Sequence, residues 1–251
     1  MKALVLRLLG WRALLLTGDP CVLDRWLWVR GRLVPGARRT FDAGCGNGAF
    51  SIYAASRGNE VVAASFSPEE QEAARSRAEV IGVGGIDFRV LDLRELESHR
   101  QALGEFDQII CLETIEHLSD DGTLLATLAK MLRPGGRLLL STPYEGHHPL
   151  FTEERHPSPV EDGLHVRYGY SHERLHELAR AAGLEPAGDG FVSGIISQKV
   201  TNLMRRLTLR FGRAAAWAAT FPLRALAPLD RPLSGALRYP YLSVTLLAVK
   251  A

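Results

Sequence analysis

Cysteine and net charge are both scarce in this chain of 251 residues. The three cysteines, Cys21, Cys45 and Cys111, are odd in number and show no C-x-x-C spacing. That argues against a disulfide framework and a thiolate zinc site, and it fits a reducing, cytoplasmic setting. A formal charge of +2 argues against a surface built as a whole for polyanions. Aromatic residues are 8% of the chain, too few to favour a stacking platform for single-stranded nucleic acid. Internal repeats and low-complexity tracts are absent. No uncharged apolar run reaches the length of a membrane span: the opening "MKALVLRLLGWRALLLTG" is broken by Arg7 and Arg12 and lacks a small-residue cleavage site. Residues 1–38 are expected to form a helical segment that packs on the domain or lies along a membrane interface.

What is present is a regular alternation. From residue 39 onward short β-rich runs, "RTFDA", "EVVAAS", "IDFRVLD", "FDQIICLE" and "RLLLSTP", are separated by helical stretches. Strand alternating with helix implies βαβ units and a parallel sheet with right-handed crossovers. The continuous apolar character of "QIICL" and "RLLLS" suits strands covered on both faces. Ser67 before Pro68 marks a helix start, and "RPGG" at 133–136 predicts a helix end and a turn. The rhythm then changes to a long polar stretch, "PYEGHHPLFTEERHPSPVEDGLHVRYGY", of the length that compact domains reserve for function. Beyond a helix and a strand near 184–194, residues 195–239 read as helical and basic. Lys199, Arg205, Arg206, Arg210, Arg213, Arg224, Arg231 and Arg238 stand there against Asp230 alone. "YLSVTLLAVK" closes the chain as a strand.

"TFDAGCGNGAF" carries the first chemical signal. An apolar strand runs into Asp42 and then Gly44, Cys45, Gly46 and Gly48, directly before a helix. Glycines permit a tight turn and close approach of a ligand to the backbone, and the helix N-terminus offers N–H groups and a positive dipole end. The spacing is GxGxG, not the GxGxxG of pyrophosphate-binding loops. It suits a ligand that presents an adenosine and a carboxylate.

"FDAGCGNG" resembles motif I of the class I S-adenosylmethionine-dependent methyltransferases. "VLDLREL", "FDQIICLETIEHL" and "LAKMLRPGGRLLLSTP" follow at the distances that family requires. The resemblance spans roughly residues 39–192 plus the final strand, with its nearest motifs in the ubiquinone-biosynthesis O-methyltransferases. It implies a Rossmann-like α/β fold, a seven-stranded sheet in the order 3-2-1-4-5-7-6 with strand seven antiparallel and helices on both faces. The core would comprise 39–194 plus 240–251, with a helical insertion at 195–239. It also implies a cofactor site. Asp42 and the glycines would line the methionine end, Asp92 with Leu93 would meet the adenine, Leu112 would touch the sulfonium region, and Arg25 would take the cofactor carboxylate. The family ends strand two with an acid that grips the ribose hydroxyls. Here Ser65, followed by Phe66, stands in that place. A neutral hydroxyl in place of a charge-assisted acceptor implies a loss of about 1–2 kcal/mol of binding, unless another residue compensates.

"CLETIEHL" resembles the ExxEH element of the same enzymes. It places Glu113, Glu116 and His117 at i, i+3 and i+4, and the loop beyond strand five offers His165. The resemblance implies a divalent ion, magnesium or zinc, on these four residues. The competing reading is a metal-free site in which the glutamate caps backbone and the histidine packs or acts as base. His147 and His148, just after strand five, are candidate general bases, with Asp162 and Tyr168 in the same loop as candidate substrate contacts.

These features lead to the expectation of an O-methyltransferase of a small molecule: a phenol, sugar or lipid-linked glycan of secondary metabolism or envelope synthesis. N- or C-methylation, or a silent cofactor-binding relative, are the alternatives. The 195–239 segment has three competing roles: a cap or homodimer surface, a peripheral contact with an anionic membrane, and a nucleic-acid surface.

Overall fold

The computed structural model describes residues 2–148, 157–161 and 163–251. Seven strands form one sheet: β1 (Arg39–Ala43), β2 (Glu60–Ser65), β3 (Ile86–Val90), β4 (Phe106–Leu112), β5 (Leu132–Pro143), β6 (Leu184–Val192) and β7 (Ser243–Lys250). Their order is β3-β2-β1-β4-β5-β7-β6, as the family resemblance implies. β1 to β5 pair in parallel, and β7 runs antiparallel to both β5 and β6. The carboxyl ends of β1, β2 and β4 therefore lie side by side at one end of the sheet, where ligands of open parallel sheets bind.

Alternation along each strand divides the core in two. Phe41, Ile109, Leu138 and Leu140 face one layer with Phe106, Leu125, Leu128 and Met131. Ile110, Leu112 and Leu139 face the other with Trp26, Trp28, Val29 and Tyr53. Both faces are apolar because both are covered, which is why these strands read as unbroken hydrophobic runs.

The crossover helices are α4 (Ala49–Ser56), α5 (Pro68–Ile81), α6 (Leu96–Leu103) and α7 (Asp121–Met131), with α8 (His172–Ala181) before β6. Ser67 caps α5 as expected, its hydroxyl accepting from the Glu70 amide at 3.2 Å, with Pro68 in the first turn. One boundary differs. Residues 133–136 do not form a free turn; β5 takes over directly at Leu132, and Leu132 pairs with Phe106 across a register shift.

Ahead of β1 lie α1 (Lys2–Leu9), α2 (Arg12–Thr17) and α3 (Pro20–Arg30). The insertion between β6 and β7 comprises α9 (Ile195–Phe211), α10 (Arg213–Thr220), a 3₁₀ stretch over Phe221–Leu229 and α11 (Asp230–Ala236). The two regions hold each other. The Trp217 indole donates to the Leu16 carbonyl at 3.0 Å, and the Arg224 guanidinium donates to the Gly18 carbonyl at 2.5 Å. No helix among the described residues is long and apolar enough to cross a membrane.

Asp230, the lone acid of the insertion, is fully buried. Its carboxylate accepts from the amides of Gly194 (3.1 Å), Ile196 (2.7 Å) and Ser197 (3.2 Å). These are unpaired N–H groups of the first turn of α9, and a buried anion at that helix end satisfies both the donors and the dipole. Asp230→Ala should cost about 2–3 kcal/mol in urea unfolding, because it strands several buried donors at once. Amide exchange should rise first at the start of α9; a change below about 0.5 kcal/mol would refute this role.

Candidate functional site

Two cavities open at the crest of the sheet, and they share a wall. The first is lined by Gly44, Gly46, Ser65, Phe66, Glu70, Leu91, Asp92, Leu93, Thr114 and Leu118. The second is lined by Asp19, Cys21, Val22, Arg25, Glu116, Pro143, His147, His165, Arg205 and Leu242. Glu113 and His117 line both.

The first cavity forms where β1 turns into α4. Gly44 is needed there for two reasons: its φ is +82°, and a Cβ would sit 2.4 Å from the Thr114 hydroxyl. Gly48 serves packing and not the ligand wall, since its Cβ would lie 2.7 Å from that of Ala74. Asp42 is also outside the cavity wall. It is buried, and it accepts from the Ser51 hydroxyl at 2.5 Å. Burial pushes its carboxyl up to about 6. Cys45 is buried beneath the loop, 3.4 Å from the Gln71 amide nitrogen. Leu112 packs into the second core layer; Glu113 and Thr114 occupy the wall where Leu112 was expected. Phe66 stands exposed at the rim, and Leu93 lines the same cleft. Asp92 reaches the wall, but its carboxylate is also held by Arg94, which keeps it below the usual range.

Glu113 sits just past the end of β4 with φ +51°, an unusual conformation for a residue with a side chain. Its Oε1 accepts from the Ser141 hydroxyl at 2.8 Å and its Oε2 from the Ser243 hydroxyl at 3.0 Å. Arg25 lies 3.4 Å away as its ion-pair partner. Arg25 thus holds Glu113 in place, and the cofactor role foreseen for its guanidinium has to be shared with this pairing.

The expected four-ligand set contracts to three. Glu116, His117 and His165 each offer a ligand atom, all within 4.8 Å of one another, while Glu113 is turned to its serines and Arg25. Glu116 is fully buried, with one oxygen accepting from Thr142 at 3.1 Å and the other without a hydrogen-bond partner, 4.0 Å from His117 Nε2. Burial first, and then the charge of Glu113, raises its carboxyl well above the usual range. His117 Nδ1 lies 3.2 Å from the Leu164 carbonyl, which makes Nδ1 the protonated nitrogen and leaves Nε2 as the lone-pair donor. His165 is pushed down by burial and by His117, so it stays neutral at neutral pH.

The two candidate bases separate. His147 is buried on the wall of the second cavity, its Nδ1 2.5 Å from the Tyr144 carbonyl, with its ring stacked on Tyr168 at 4.6 Å. His148 is exposed and faces Tyr239, outside both cavities. Asp162 lies outside the described residues. Sequence reasoning missed Thr114, Glu70, Cys21 and Arg205. Of these only Glu70 left a trace, as an acid in the first turn after β2.

Residues 41–140 match the methyltransferase domain family. Together with the sheet order and the glycine loop, the matched stretch carries the fold of the class I S-adenosylmethionine-dependent methyltransferases. The chain is 36% identical over 115 residues to the ubiquinone biosynthesis O-methyltransferase of Xanthomonas axonopodis pv. citri, covering 46% of this chain and 47% of that protein. It is 37% identical over 125 residues to the enzyme of the same description from Xanthomonas campestris pv. campestris, 49% of each. The chain thus spans about half the length of the curated relatives it matches. Among solved structures, a putative sarcosine dimethylglycine methyltransferase from Galdieria sulphuraria superposes with a TM-score of 0.63 at 16% identity, covering 92% of this chain and 85% of that one. The cyclase SpnF superposes at 0.61 with 22% identity, covering 91% and 82%. At such identities the superpositions show the fold alone, and the cyclase illustrates that the fold does not fix the reaction.

The Asp42 carboxyl provides a pH test. Its ordinary value is 3.8, and the folded state raises it to about 6. The folded state therefore binds the proton more tightly, and this group's contribution to stability falls as pH rises from about 4 to 6. Asp42→Asn should remove that slope, so the wild type loses about 1–3 kcal/mol relative to the variant between pH 4 and pH 7. Urea unfolding at both pH values checks this; a constant difference would contradict it.

Proposed function

We propose that the chain is an S-adenosylmethionine-dependent O-methyltransferase of a small or lipid-linked acceptor that bears a hydroxyl group, such as a phenol, sugar or glycan. The observation that carries this reading is the shared wall: a glycine-loop cleft and a histidine-rich cavity meet at Glu113 and His117. In the first cleft Gly44, Gly46, Asp92 and Leu93 would hold the adenosyl donor, whose chemistry is an electrophilic methyl group. In the second, His147 would accept the acceptor's proton through Nε2, since its Nδ1 is occupied by the Tyr144 carbonyl. The enzyme's main contribution is to hold two reactants in line and out of water.

The cluster of Glu116, His117 and His165 fits a divalent ion: one buried oxygen is unpartnered, one imidazole has its tautomer set from behind, and the other is kept neutral. Two imidazoles and a single carboxylate suit zinc or a similar transition ion better than magnesium. When bound, such an ion would lower the pKa of an acceptor hydroxyl and orient it.

The relatives named as ubiquinone biosynthesis O-methyltransferases favour oxygen over nitrogen or carbon as the acceptor atom. The insertion acts in this reading as a cap, because Arg205 of α9 reaches the second cavity and pairs with Asp19 at 3.8 Å. The same insertion exposes Leu209 and Phe211, and flotation with anionic vesicles tests whether the cap also rests on a membrane.

Transfer of labelled methyl to a panel of phenols, catechols and sugars tests the whole proposal. Chelation should abolish turnover, added zinc or magnesium should restore it, and His117→Ala or His165→Ala should lower it by about 10–100-fold. Turnover untouched by chelation would exclude the ion while leaving the O-methyltransferase standing. No binding of the donor or its demethylated product would overturn both.

A further inference from the structure

At the end of β2 a carboxylate from a different element meets Ser65. Ser65, at the strand end, is buried, and its hydroxyl donates to Glu70 Oε2 at 2.9 Å. Glu70 belongs to the first turn of α5 and lines the cleft beside Gly46, Phe66, Asp92 and Leu93. A Cβ built on Gly46 would lie 3.9 Å from the same Oε2, so the carboxylate stands over the glycine loop.

A simpler explanation exists, and the hydrogen bonds exclude it. "SPEE" has the S-x-x-E spacing of a capping box, in which the glutamate reaches back to the amide of the capping serine. Half of the box is present: the Ser67 hydroxyl accepts from the Glu70 amide at 3.2 Å. The other half is not. The Ser67 amide donates instead to the Ser65 hydroxyl at 3.4 Å, and the Glu70 carboxylate turns to Ser65 and the cleft. The helix cap does not account for where this carboxylate points.

We infer that Glu70, oriented by Ser65, is the acceptor for the vicinal hydroxyls of the ribose of an adenosyl ligand, five residues displaced from the strand-end position. The inference rests on the reading of this cleft as the adenosyl site. Ser65 is the positioning residue: its single O–H is spent on Glu70, so it fixes one oxygen of the carboxylate while the anion supplies the charge-assisted bonds a serine alone lacks. Glu70 is exposed at the mouth of the cleft, so its substitution leaves the core intact.

Calorimetry with S-adenosylhomocysteine and its 2′-deoxy analogue tests this on the full chain. The wild type should prefer the ribose form. Glu70→Gln should weaken binding of S-adenosylhomocysteine by about tenfold and abolish most of that preference, with an unchanged melting temperature. Ser65→Asp in the Glu70→Gln background should restore both affinity and preference by returning a carboxylate to the strand end. Binding and ribose preference unaffected by Glu70→Gln would overturn the inference while leaving the adenosyl site standing. So would a double variant no better than Glu70→Gln. A wild type that binds neither ligand would overturn the inference together with the reading on which it rests.

Discussion

The geometry of the site depends on how one carboxylate is held. Glu113 stands at the crest of β4 in a left-handed backbone conformation, and three different elements fix its side chain: Ser141 from β5, Ser243 from β7 and Arg25 from α3. A partly buried charge is tolerated only when its oxygens are matched by donors, and both serines here are fully buried. The same four groups tie the central strand to the antiparallel pair and to the helical segment ahead of the core. Glu113 thereby becomes the partition between the two cavities, and the residues that follow it inherit their positions.

Those residues acquire distinct roles from that turn. Thr114 folds back over Gly44, its hydroxyl 3.1 Å from the Leu112 carbonyl, so the glycine loop and the crest of β4 close on each other without room for a side chain. Glu116 falls into the interior against Thr142, and His117 emerges between the cavities with its rear nitrogen against Leu164. The backbone of Glu116 also receives the Val166 amide at 2.8 Å, which brings the loop bearing His165 to the cluster. A short 3₁₀ turn at Ile115–His117 thus sets the glycine-loop cleft on one side of the strand end and a polar, imidazole-lined cavity on the other.

The sheet was legible in the sequence because its signals are local and repeated: unbroken apolar strands, capped helices and a glycine turn. "QIICL" suits a strand covered on both faces, and that is where it lies. The site was legible only as far as a residue's role is fixed by its neighbours in sequence. Gly44 and Gly46 line the glycine-loop cleft. Asp42 and Leu112 do not, because their side chains follow the pleat into the core: Asp42 to Ser51, Leu112 to the second apolar layer. Glu113 could not be told from Glu116 as a ligand by spacing, since its partners arrive from β5, β7 and α3, far along the chain. Likewise Ser65 read as a missing acid. The carboxylate that answers it comes from the next helix, and a capping-box pattern gave that glutamate an ordinary explanation.

The central claim is that the glycine-loop cleft and the imidazole-lined cavity are two halves of one site, joined at Glu113 and His117. A crystal structure with S-adenosylhomocysteine bound tests it most directly. The account predicts the adenine between Phe66 and Leu93 and the sulfur at the opening beside Glu113 and His117, facing His147 and His165. A ligand whose sulfur points away from that junction, or that binds elsewhere on the molecule, would contradict it.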